Sequence, residues 1–152
     1  MKLLYSLLIT LGVGIVSGFA TAANIKGWYT TLVKPSFNPP NWIFAPVWTI
    51  LYVLMGIALY LIWKQPVSLR RSNSLRLFFI QLFLNFCWSF LFFHFHRIGL
   101  ALIDIFLLWI FIIATMFSFS KSDRKAAWLL FPYFCWVSFA AILNGALFGL
   151  NN

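Results

Sequence analysis

Acidic residues are almost missing from this chain: Asp104 and Asp123 are the only two in 152 positions, and there is no glutamate. Paired-carboxylate catalysis and calcium cages need several acids close together, so neither has its material here. No glycine-rich phosphate loop and no nucleophile motif accompanies the two acids, which removes support for nucleotide hydrolysis. Cysteine is equally scarce. Cys87 and Cys135 each lie inside an apolar run without metal-ligand spacing, and they read as buried thiols, not as a disulfide or a metal site. Charge of either sign amounts to 9% of the chain, too little to clothe a soluble domain.

What the chain has in quantity is apolar and aromatic surface. Hydrophobic residues make up 63% and aromatic residues 21% of it, and the mean hydropathy is +0.94. A water-soluble fold cannot dispose of so much apolar area, so the chain reads as an integral membrane protein. Eleven basic residues against two acids give a net charge of +9. In a soluble protein that excess would point to nucleic acid. Here the basic residues fall between apolar runs, where they set topology and meet lipid headgroups, so the bilayer is the expected partner and nucleic acid is not.

Five apolar runs of span length follow one another, over about 3–23, 43–63, 75–95, 98–120 and 126–150. They predict an all-α membrane bundle of five transmembrane helices forming a single domain, 1–152. In the first run Ala20-Thr21-Ala22 resembles a signal-peptidase site, so a cleaved leader is the competing reading. The run is longer than a usual leader core, and Gly14, Gly18 and Ala22 recur every fourth residue as a small face for close helix packing. A retained first span is the reading adopted. The connector over 65–74, with Pro66, Arg70 and Arg71, reads as a solvated turn.

Polar residues inside the later runs mark the faces that must turn inward. Gln81, Asn85, Trp88 and Ser89 share helical spacing in the third run, either to hydrogen-bond neighbouring helices, which spacing alone favours, or to touch a ligand. Tyr133, Trp136, Ala140 and Asn144 form a comparable face in the last run, beside a small stripe at Ala141, Gly145 and Gly149. His94 and His96 are two residues apart and point to different sides of a helix, a poor chelate. Asp104 is the one acid in an apolar run. It is a functional candidate by position, yet it lies near the start of its helix, where interface solvation or pairing with Arg97 is the favoured expectation.

With five spans, one side of the membrane carries Lys2, Lys64, Arg70, Arg71, Arg76, Lys121, Arg124 and Lys125, and the other only Lys26, Lys34 and Arg97. By the positive-inside rule the N-terminus is cytoplasmic. The opposite side then presents the stretch from Gly27 to Tyr52, GWYTTLVKPSFNPPNWIFAPVWTILY. Pro35, Pro39 and Pro40 fix their own backbone angles and push the preceding residues out of the helical region, so a stiff aromatic loop is expected. Two readings are open for it: a lid over a pocket between helices, or an interfacial aromatic belt with a proline-rich turn.

The segments KPSFNPPNW and FAPVWTILYVLMG, then LNFCWSFLFF at 84–93, RIGLALID at 97–104 and PYFCWVSFAAILN at 132–144, resemble the signature of the TspO/MBR family. That family includes tryptophan-rich sensory proteins and translocator (peripheral benzodiazepine receptor) proteins, and the resemblance spans nearly the whole chain. It implies a homodimeric five-helix membrane receptor or sensor for porphyrins and related tetrapyrroles, in a bacterial plasma membrane, with no required cofactor and the porphyrin as ligand. Motif by motif it implies a ligand pocket at Trp28, Trp42, Trp48, Tyr52, Asn85, Trp88, Trp136, Ala140 and Asn144. Trp48 and Trp136 match tryptophans linked in some bacterial members to light-dependent porphyrin breakdown, so slow photochemical catalysis and export of porphyrin-like compounds stand as alternatives. Phe37, Ala45 and Leu100 depart from residues common in the family. The cholesterol-recognition pattern that follows the fifth helix of animal members has no counterpart here, and Leu54, Tyr60 and Lys64 satisfy it only loosely elsewhere.

Overall fold

A computed structural model describes residues 1–151 of the chain. Helix α1 covers Lys2–Ile25, α2 Phe44–Trp63, α3 Leu69–Ser89, α4 Ile98–Ser120, α5 Arg124–Leu129 and α6 Phe131–Leu150. Five segments are long and apolar enough to cross a membrane, with α5 and α6 together forming the fifth, Arg124–Leu150. The protein is an all-α, multi-pass integral membrane protein. The fifth segment breaks at Leu130 because Pro132 supplies no backbone N–H at the start of α6 and its ring crowds the preceding turn.

The helices close into a ring: α1 packs along α2, α2 meets α5, the α5–α6 segment lies against α4, α4 against α3, and α3 returns to α1. α1 is thus an integral wall of the bundle. Its contact with α2 is close because Gly14 and Gly56 leave room: a Cβ at Gly14 would lie 2.6 Å from the Tyr52 ring, and one at Gly56 would lie 2.8 Å from Thr10 Oγ1. Thr10 uses that proximity to donate to the Tyr52 carbonyl at 2.8 Å. The small stripe does not pack along its whole length, however. At Gly18 a Cβ would meet nothing within 4 Å.

All the basic-rich helix ends gather at one end of the bundle. Lys2 Nζ and Arg71 Nε donate to the Trp63 carbonyl at 3.4 and 3.1 Å, and Arg70 donates to the Lys121 carbonyl at 3.3 Å. The connector before α3 is shorter than the sequence suggests. Ser68 caps the helix by accepting from the Arg71 N–H at 3.1 Å, so Arg70 and Arg71 are already helical and only 64–68 turns the chain. Asp123 caps α5 likewise, accepting from the Lys125 N–H at 2.9 Å.

At the opposite end the third span stops being α-helical earlier than expected. Residues Phe90–His94 form a π-helical turn, closed by Phe95 N–H donating to the Phe90 carbonyl at 2.8 Å. Such a turn re-aims side chains, and here it leaves Phe92 and Phe93 both buried among the aromatic residues of the interior. Asp104 also departs from expectation. It falls on the buried stripe of α4 with Ala101, Ile105 and Leu108, at 7% exposure, and its Oδ2 has no hydrogen-bond partner, so the expected pairing with Arg97 does not form. Helical periodicity, not distance from the helix start, decides its surroundings.

Candidate functional site

The half of the bundle away from the basic end encloses a cavity walled mostly by rings. Tyr29 from the first loop, Phe44 and Trp48 from α2, Trp88, Phe92 and Phe93 from the third span and Trp136 and Phe139 from α6 line it, and Ala140, Leu143, Asn144 and Leu147 complete it. These positions follow from helical spacing. Phe44 precedes Trp48 by one turn, Phe92 follows Trp88 by one turn, and Phe139, Leu143 and Leu147 flank the Trp136, Ala140, Asn144 stripe. The Trp48 ring stands perpendicular to Trp136 at 6.5 Å and tilted to Trp88 at 6.4 Å; Trp88 in turn stacks on Phe92 at 5.2 Å. Edge-to-face and offset contacts of this kind suit the ring quadrupoles. The free space between them is only about 20 Å³, room for one water.

Polar groups around the cavity are mostly committed to holding helices. The Trp88 indole N–H donates to Asn144 Oδ1 at 2.9 Å, and Asn144 Nδ2 donates to the Ile98 carbonyl at 3.1 Å, tying the third, fourth and fifth spans together. Trp136 differs. Its indole N–H is buried without a hydrogen-bond partner. No charged side chain lines the cavity. An uncharged, mostly aromatic site of this kind suits a flat apolar molecule.

Beneath the cavity lies a polar layer. The Tyr52 hydroxyl donates to Asn85 Oδ1, Asn85 Nδ2 donates to the Tyr133 hydroxyl at 2.8 Å, and that hydroxyl donates to Gln81 Oε1 at 2.7 Å. Tyr52, Asn85, Gln81 and Tyr133 are all buried, so this layer links α2, α3 and α6 as a floor, and the polar face of α3 divides its work. Gln81 and Asn85 bond neighbouring helices, while Trp88 reaches the cavity.

Of the residues marked from the sequence, Trp48, Trp88, Trp136, Ala140 and Asn144 come together around the cavity, and Tyr52 and Asn85 lie in its floor. Trp28 and Trp42 do not line it. Trp28 stacks on the His96 ring at 4.2 Å and 8°, and Trp42 stands 73% exposed at the bundle surface. The loop residue that does close the cavity is Tyr29, which the sequence reading passed over between two tryptophan motifs. It is buried to 1% exposure, and its hydroxyl donates to Asn38 Oδ1 at 2.6 Å. Burial pushes its pKa up to about 12, against which the Asn38 hydrogen bond pulls it down.

The loop is therefore fastened over the cavity at several points. Lys34 Nζ lies 5.0 Å above the Tyr29 ring, and the Val33 N–H donates to Asn151 Oδ1 while Asn151 Nδ2 donates to the Val33 carbonyl, both at 2.8 Å. His96, the one non-glycine residue with positive φ among the described residues, at 57°, reaches Asn24 Oδ1 at 3.1 Å. Within this one stretch Tyr29 closes the cavity while Trp42 stands exposed on the bundle surface.

A sequence profile described as the TspO/MBR family matches residues 6–149, nearly the whole of the ring just described. The chain belongs to the TspO/MBR family. It is 44% identical to the tryptophan-rich protein TspO of Chlorobaculum tepidum, over 99% of this chain and 98% of that one. The translocator protein of Ovis aries is 40% identical over 84% of this chain and 79% of its own. The tryptophan-rich sensory protein of Cereibacter sphaeroides is 36% identical over 82% and 77%.

Proposed function

We propose that this protein is a membrane receptor or sensor that binds porphyrins and related tetrapyrroles in the aromatic cavity, with its N-terminus in the cytoplasm. The observation that carries the reading is the convergence of Trp48, Trp88 and Trp136 from three spans on one uncharged space where the Trp136 indole N–H has no partner. Broad aromatic faces favour a flat conjugated ligand by stacking, and the free N–H favours one bearing an acceptor. Membership of a family with a tryptophan-rich sensory protein adds to this support. The present free space of about 20 Å³ is far below a small-molecule pocket of roughly 300 Å³ or more, so binding on this reading includes parting of the rings. Titration of the purified protein in lipid with protoporphyrin IX should quench tryptophan fluorescence saturably. Absence of saturable quenching removes the reading.

One observation favours a second reading, export of porphyrin-like compounds: the buried and unpartnered carboxylate of Asp104 offers a polar group within the membrane. Homodimer formation belongs to the same proposal. It draws on the small face that α6 leaves open at Gly149, where a Cβ would meet nothing within 4 Å. Crosslinking in native membranes should trap a dimer, and monomer alone across expression levels counts against it.

A further inference from the structure

At the basic end of the bundle a surface groove of about 550 Å³ lies between α4 and the fifth span, with Ile113, Met116 and Phe117 on one wall and Trp128, Phe131 and Phe134 on the other. The second wall is an aromatic ladder that crosses the break at Leu130. Trp128 meets Phe131 edge-to-face at 5.6 Å, and Phe131 is tilted to Phe134 at 6.3 Å. Trp128 and Phe117 stand 67% and 66% exposed, so each wall keeps apolar surface that the bundle itself leaves uncovered.

The mouth of this apolar trough is polar. Ser120 and Arg124 line the groove at the helix ends, whereas Ile113 lies seven residues before Ser120 on α4, about 10 Å further along the helix. Lys121 adds a second cation, its Nζ 4.8 Å from the centre of the Phe117 ring. Acid to neutralise them is scarce. Of the two acids in the chain, Asp104 lies near the other end of α4, and Asp123, outnumbered by Lys121, Arg124 and Lys125, already accepts from the Lys125 N–H through Oδ1.

The fitting occupant is therefore long and apolar, with an anion at one end. A second copy of this chain fits poorly: two copies inserted the same way in one membrane would bring their basic ends together, each rich in Lys and Arg with Asp123 as its only acid. We propose that the groove binds an anionic phospholipid, its phosphate on Arg124 and Lys121 and one acyl chain along the trough between α4 and the aromatic ladder. No residue of the groove lines the aromatic cavity, so this site is independent of the porphyrin reading.

Full-length protein in an uncharged detergent, titrated with dioleoylphosphatidylglycerol or with dioleoylphosphatidylcholine and read by native mass spectrometry, tests the site. The two lipids share their chains and differ in net charge. The parent should bind the first phosphatidylglycerol about tenfold or more tighter than phosphatidylcholine. Arg124→Gln should weaken it about fivefold, and Ser120→Trp, which blocks the mouth, about tenfold. Lys64→Gln removes an equal charge from the same end but outside the groove, where Nζ lies 5.4 Å from the Tyr60 ring, and should stay within about twofold of the parent. Each variant is first shown folded by its thermal melt. Equal affinity of the parent for the two lipids overturns the proposal. So does parent-like binding by Ser120→Trp, or equal binding by Arg124→Gln and Lys64→Gln, which would leave only diffuse attraction to the basic end. A dimer in the parent spectra that Ser120→Trp abolishes, with no lipid preference, overturns it in favour of a second copy. Should Ser120→Trp fail to fold, the comparison of Arg124→Gln with Lys64→Gln decides.

Discussion

The two ends of this bundle are built on different terms. At the basic end Met55, Leu59, Ile62, Phe78 and Phe119 are wholly buried, and Phe78 stacks on Phe119 at 6.0 Å. Ser74 and Ser118 bond each other there at 2.6 Å, and the helix ends are pinned by Lys2, Arg70 and Arg71. At the opposite end rings fill the space between α2 and α6, and the Trp136 indole N–H is buried without a partner. The Tyr52, Asn85, Tyr133 and Gln81 layer separates the two halves. The difference teaches that one half is filled by its own side chains while the other closes on a small ring-lined space, the space that the proposed function assigns to binding.

Breaking the tight half should give the largest effect. Phe78→Ala removes a ring with no exposed surface and should cost about 3–5 kcal/mol of stability, read as a thermal shift in lipid or detergent. The folded fraction should keep parent-like protoporphyrin affinity; a large affinity loss would show that the halves are coupled. Filling the loose half should reverse the pattern. Ala140→Phe places a ring in a cavity that has none to spare, so binding should fall about tenfold or more, with a strain of about 1–3 kcal/mol. An unchanged affinity would move the ligand elsewhere.

The lid gives a smaller effect with a signature in pH. Because folding raises the Tyr29 pKa from 10.0 to about 12, the buried neutral phenol stabilises the closed lid fully below pH 10. That stabilisation is lost as pH rises through about 12, since the unfolded or opened loop ionises first. Tyr29→Phe should remove the hydrogen bond to Asn38 at a cost of about 1 kcal/mol and abolish this alkaline step. Proteolysis of the loop across pH 9 to 12 measures both; the same alkaline step in Tyr29→Phe would assign it to another group.

Two finer changes address what the cavity does with a ligand. Trp48→Phe and Trp136→Phe keep an aromatic face, so porphyrin binding should weaken by only about a fewfold, while any light- and oxygen-dependent breakdown should fall sharply because the oxidisable indole is gone. Absorbance of bound protoporphyrin under light and in darkness, with oxygen present and removed, separates the two. Breakdown at the parent rate in both variants would remove a photochemical role for these residues, and none in the parent would remove the enzyme reading. Asp104→Asn should change affinity least, within about a fewfold, since Asp104 lies outside the cavity lining. Flux lost from proteoliposomes with binding retained would favour export over reception.

The sequence by itself determined the class, the five spans and the inward faces. Long apolar runs leave the backbone no partner but itself, and the 3.6-residue period puts Trp136, Ala140 and Asn144 on one stripe whatever surrounds them. The same period already held Asp104 in line with Ala101, Ile105 and Leu108, a signal outweighed by its nearness to the helix start. Only the tertiary structure decided which aromatics share a space. Trp28, Tyr29 and Trp42 are indistinguishable by composition, and the choice of Tyr29 as the cavity's closure depends on 3₁₀ turns, the Asn38 bond and the Val33–Asn151 clasp, all set by chain segments far apart in sequence. Phe93 joins Phe92 at the cavity through a π-helical turn, which helical spacing does not foretell. The α1–α2 contact is likewise a tertiary product: Gly14 and Gly18 read alike in the sequence, yet a Cβ at Gly14 would meet the Tyr52 ring and one at Gly18 would meet nothing within 4 Å.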